Sequence, residues 1–85
     1  MHNKDEIDSI LSSNGLTETE LIFKENVKKL RKRSGFTITQ TAIALGLKYG
    51  KYRLIESLTP VNVKFETIER IAKYYGIPVS DLFKL

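Results

Sequence analysis

Residues 65–83 read Phe-Glu-Thr-Ile-Glu-Arg-Ile-Ala-Lys-Tyr-Tyr-Gly-Ile-Pro-Val-Ser-Asp-Leu-Phe, and this stretch decides the fold class. Phe65, Ile68, Ile71, Ala72 and Tyr75 recur at helical spacing, which puts them on one face. Gly76 stops that helix. Pro78 cannot continue it and opens a last short helix carrying Val79, Leu82 and Phe83. Apolar residues on both sides of the Gly-Ile-Pro break predict two helices packed on one core.

Working upstream, residues 58–63 (Leu-Thr-Pro-Val-Asn-Val) form a loop. Helices are expected over about 49–57 and about 39–45, with Gly46 ending the earlier one. Thr17-Glu18-Thr19-Glu20 reads as a capping box, Thr17 being the N-cap and Glu20 reaching back. A longer helix runs from there to about Ser34 and stops at Gly35. Its apolar positions Phe23, Val27 and Leu30 follow i, i+4, i+7. Residues 5–13 allow a short helix with Ile7, Ile10 and Leu11 on one face, ended by Asn14-Gly15. No segment sustains strict apolar–polar alternation. The fold class is therefore all-α: a helical domain over 17–85, preceded over 1–16 by an acidic extension that is either a short helix or disordered.

Composition narrows the chemistry. With 85 residues, no Cys and one His, the fold must come from packing, with neither disulfide nor metal cluster. Lack of Cys fits a reducing cytoplasm. The apolar runs Leu21–Phe23 and Ala42–Leu45 are far too short to span a bilayer, and the acidic N-terminus is unlike a signal peptide. Charge is segregated: residues 1–23 sum to −4, residues 24–53 to +8 and residues 54–85 to zero. A basic block of that density points either to a polyanion partner or to a solvated helix face.

Two short helices meeting at Gly46 inside that block fit a helix-turn-helix, though an ordinary bundle fits the helix count equally well. Enzymatic readings find little support. Gly46-Leu-Lys-Tyr-Gly50-Lys51 is one residue short of a phosphate loop and lacks the following Ser or Thr. His2 lies in the terminal segment, and no carboxylate pair sits at an apolar pocket. No catalysis and no cofactor are expected.

Residues 23–83 resemble the phage-repressor-like (Cro/CI, XRE-type) helix-turn-helix family. Phe23, Val27, Leu30 and Arg31, then Gly35 and Phe36, look like its first helix and turn; Ala42, Leu45, Gly46 and Leu47 look like its second helix. Ile55-Glu56 resembles the end of its recognition helix, and 65–83 resembles its tail ending in Asp-Leu-Phe. The resemblance implies a lambda-repressor-like five-helix domain, here with an extra short N-terminal helix. It also implies an ion pair between Arg31 and Glu56, as against two unpaired surface charges. Ala42 has its own physical reason, because a larger side chain would separate crossing helices.

The family's mechanism places the third helix in the major groove of double-stranded DNA. Carried onto this chain, the base-facing positions are Tyr49, Gly50, Lys51 and Arg53. The phosphate positions are Thr37, Thr39, Lys48, Asn62 and Lys64, with Gln40 as a secondary candidate. Lys51 or Arg53 suits guanine O6/N7, and Tyr49 suits a thymine methyl or a phosphate. Tyr52 occupies the family's buried apolar slot. Relatives read inverted repeats as dimers, and Leu58, Val61, Leu82, Phe83 and Leu85 are the dimer candidates.

The chain departs from the family at several places. Ile38 stands where most relatives carry a DNA-contacting Gln, Thr41 replaces a Leu, and Ile43 occupies an outward position. A shifted register would use Gln40 and Ala44 in place of Ile38 and Ala42. Two readings therefore stand. One is a homodimeric, sequence-specific transcriptional regulator, bacterial or phage-borne by resemblance. The other is a protein-interaction or antitoxin-like module using Ile38, Ile43 or the N-terminal helix as its partner surface.

Overall fold

A computed structural model describes residues 3–6, 8 and 15–85. Among these residues every regular element is helical. Four α-helices follow one another: α1 (Glu18–Ser34), α2 (Ile38–Leu45), α3 (Tyr49–Glu56) and α4 (Phe65–Tyr75), then a 3-10 helix over Val79–Phe83. Residues 4–6 and 8 are also helical. Ile7, Ile10 and Leu11, assigned above to a helix face, lie outside the described residues.

Each helix is bounded by local chemistry. Thr17 accepts the Glu20 amide at 3.0 Å. The expected reciprocal bond from Glu20 is not made; one Glu20 carboxylate oxygen is buried without a hydrogen-bond partner, near Lys24. The complete capping box is instead at α2, where Thr37 accepts the Gln40 amide and Gln40 Oε1 accepts the Thr37 amide at 2.9 Å. That box starts α2 one residue earlier than the expected Thr39. The helix ends at Gly46, whose φ of 68° lets its amide bond to the Ile43 carbonyl while Leu47 bonds back to Ala42. This closes the turn tightly enough for α3 to start at Tyr49.

The core gathers residues from every element: Phe23 and Val27 from α1, Ala42 and Leu45 from α2, Tyr52 and Ile55 from α3, Ile71 and Ala72 from α4, and Leu82. Ala42 is buried and Ala44 exposed, so the structure has the Ile38/Ala42 register. α1 packs on α3 and on the 3-10 helix, α2 on α3, and α4 on α2 and the 3-10 helix. Phe23 and Phe83 stack with centroids 5.4 Å apart. Asn26 Nδ2 donates to the carbonyls of Leu82 at 2.9 Å and Lys84 at 2.8 Å, tying the C-terminal segment onto α1.

Two expectations need correction. Phe65, assigned to the core face of α4, is 82% exposed. It is the first residue of its helix and lies past the edge of the core, and Thr67 is buried in the following turn. The last short helix expected after Pro78 is present as a 3-10 helix over Val79–Phe83, as suits five residues. Leu16, placed in the extension, is 4% exposed and belongs to the packed part of the chain.

Candidate nucleic-acid interface

α3 has two faces with different tasks. Tyr52 and Ile55 are fully buried, while Tyr49, Gly50, Lys51 and Arg53 are exposed. An eight-residue helix has little stability of its own, so the surrounding contacts must hold it. Arg31 forms a two-pronged pair with Glu56, Nε to Oε2 at 2.6 Å and Nη2 to Oε1 at 2.9 Å. Its third nitrogen, Nη1, donates to the Phe36 carbonyl at 2.9 Å. The Tyr52 hydroxyl donates to the same Glu56 carboxylate. One guanidinium thus ties α1 both to the end of α3 and to the turn before α2. The Arg31 pKa is raised, chiefly by the Glu56 hydrogen bond. That of Tyr52 is pushed far up by burial and by Glu56.

A second tether was not foreseen. Lys24 is 2% exposed, and its ammonium donates to the Leu54 carbonyl at 2.8 Å and to that of Ile55 at 3.4 Å. It sits at the negative end of the α3 dipole and adds a donor to the Leu54 carbonyl, which also accepts from Ser57, and to that of Ile55. Burial lowers the Lys24 pKa, with the Glu20 carboxylate pulling it back up. A signal was present in the sequence: Leu21, Lys24 and Val27 are three residues apart, so a cation stands on the apolar stripe of α1. Arg70 was also missed. It donates to the Leu45 carbonyl at 2.9 Å, closing the end of α2, and pairs with Glu66 at 2.7 Å.

The phosphate candidates divide into two groups. Thr37 and Gln40 are engaged in the α2 cap, and Thr39 is exposed beside them. Lys48 and Lys64 are the N-cap residues of α3 and α4, and neither makes a side-chain cap bond. With Lys51, Arg70, Glu66 and Thr67 they line one shallow depression between the α2–α3 turn and the start of α4. The fold therefore brings Lys48, Lys51 and Lys64 together from separate segments. Asn62 is exposed in the loop between α3 and α4.

Among the apolar candidates, Ile43 is 74% exposed on α2, whereas Ile38 is partly buried against the core. Of the dimer candidates, Leu82 is ruled out by its burial: its side chain is fully buried in the chain's own core. Leu85 is 78% and Leu58 39% exposed, while Val61 and Phe83 are half-buried. No group of three or more His, Cys, Asp or Glu suited to a metal occurs among the described residues. No helix there is long and apolar enough to cross a membrane.

Buried on one side, α3 leaves Tyr49 and Arg53 exposed on one flank and Lys51 on the other, beside Lys48 and Lys64, so the helix can present cationic side chains toward a polyanion. Comparison with known proteins agrees with that geometry. Residues 26–85 match the Cro/C1-type HTH DNA-binding domain. The chain is also 30% identical, over 61 residues, to the cryptic phage CTXphi transcriptional repressor RstR of Vibrio cholerae. That alignment covers 72% of this chain and 54% of the repressor, so the chain spans about half the length of this curated relative. No solved structure matches the chain.

Proposed function

The chain belongs to the Cro/C1-type helix-turn-helix DNA-binding domain family, and we propose that it regulates transcription by reading duplex DNA as a homodimer on an inverted repeat. The observation that carries this reading is α3, a short helix locked by Glu56 and Lys24 on its inner side with Tyr49, Lys51 and Arg53 exposed on its outer side. Set in a major groove, the exposed side chains of α3 meet base edges, and Lys48 and Lys64 meet phosphates beside it. A domain of this size makes few contacts alone, so two half-sites one helical turn apart supply the selectivity. Repression is the regulatory sense favoured, since the related phage protein is a repressor. The site of action is the cytoplasm, where the DNA of a bacterial host lies.

Selection of bound sequences from a random duplex pool, near physiological salt, tests this directly. An enriched inverted repeat is the expected result. Salt-sensitive binding with no enriched sequence would overturn it.

A second reading rests on Ile43, a large apolar side chain 74% exposed on a helix flanking α3. In this reading the same fold docks a protein partner and reads DNA weakly. Ile43→Asp then abolishes partner binding, while Arg53→Ala changes nothing.

A further inference from the structure

The chain has five glycines, and four of them, Gly15, Gly35, Gly46 and Gly76, have φ between 66° and 75°. In that region a side chain is strained, so the backbone accounts for those four. Gly50 is different. It is the second residue of α3, its φ is not positive, and it is exposed. A Cβ built on it meets no atom within 4 Å. Neither the conformation nor the packing of this chain calls for glycine there. Helix propensity argues against it, because alanine is the better helix former and α3 begins without a side-chain cap bond.

We propose that Gly50 is a specificity-determining position, at which the missing side chain lets the first turn of α3 lie directly against base edges on the floor of the major groove. The inference rests on the DNA-binding reading above and deepens it. Glycine without a conformational task is expected where another molecule approaches the backbone closely. Its neighbours are the exposed Tyr49, Lys51 and Arg53, whose reach depends on how deeply the helix is seated. A methyl group at residue 50 holds the helix away from the bases and stretches those hydrogen bonds beyond useful length.

The test compares wild-type protein with Gly50→Ala on three readouts: thermal unfolding, affinity for the duplex enriched by selection, and affinity for a random duplex of equal length. The melting temperature should rise by about 4 °C, since the fold gains a better helix former. Affinity for the enriched duplex should fall at least about tenfold, while affinity for the random duplex stays the same, because phosphate contacts dominate nonspecific binding. A purely structural role moves the first readout and leaves the others alone. The proposal is overturned if the variant binds the enriched duplex as tightly as wild type, if its melting temperature falls, or if both duplexes weaken equally. Failure of the wild type to enrich any duplex is visible before the variant is made; it sinks the DNA reading itself and this inference with it.

Discussion

Glu56 concentrates three hydrogen bonds on one carboxylate, two from Arg31 and one from Tyr52, at side-chain exposures of 12% for Arg31 and 5% for Glu56. Removing one member strands the other in a dry place, which is costlier than the pair's own net contribution. Arg31→Ala should therefore lower unfolding free energy by roughly 3–5 kcal/mol, read from urea denaturation. A loss below about 1 kcal/mol would mean that Glu56 finds water instead. Tyr75 makes a separate prediction. Its hydroxyl is buried without a hydrogen-bond partner, and burial, with Tyr74 beside it, pushes its pKa up to about 12. The folded pKa lies above the unfolded one, near 10. Its contribution is therefore full below pH 10 and is lost as pH rises toward 12. Tyr75→Phe should flatten the fall in the urea midpoint over that window. It should also gain about 1 kcal/mol at neutral pH, because a desolvated hydroxyl is removed. An unchanged alkaline slope would place the titrating group elsewhere.

At the scale of elements, the proposed DNA reading gives α3 and the start of α4 different roles. Lys64, an N-cap without a side-chain cap bond, suits phosphate; Arg53, on the outer face of α3, suits base edges. Lys64→Ala should weaken all duplexes alike and reduce the salt slope by about one unit, measured by titration at several salt concentrations. Arg53→Ala should keep the salt slope nearly intact and relax preference at one base position, at a cost of roughly 1–3 kcal/mol. Interchanged outcomes would reverse the two assignments. α2 has less freedom than its residue types suggest. Thr37 and Gln40 hold each other in the capping box, so any DNA contact from them must use the atoms the cap leaves over.

At the scale of the whole molecule, the proposed homodimer needs a surface on which two copies can meet. Leu82 is spent inside the core, and of the apolar candidates Leu85 and Leu58 are the more exposed. If the dimer forms through this part of the chain, Leu85→Asp with Leu58→Asp should convert it to a monomer in sedimentation equilibrium. The double variant should also weaken the enriched operator far more than random duplex, because the second half-site is lost. Retained dimerisation would move the interface to another surface, with Phe65 and Ile43 the most exposed large apolar side chains left on the helices among the described residues.

What the sequence determined by itself was the succession of helices and their approximate boundaries. Those depend on interactions within a few residues: apolar spacing along α1 and α4, positive φ at Gly46, and the break at Pro78. The basic block at 24–53 was equally plain, because charge needs no partner to be counted. Tertiary structure alone decided which of those charges are available. Lys24, counted in the block, faces inward to the Leu54 carbonyl about thirty positions away; Arg31 reaches Glu56 as the family resemblance implied, a pairing that composition and spacing by themselves did not give. Lys48, Lys51 and Lys64 gather at one depression. Such long-range pairings carry no local periodicity. They are set by how α1 crosses α3, and that crossing follows from burying Val27, Tyr52 and Ile55 together in one core.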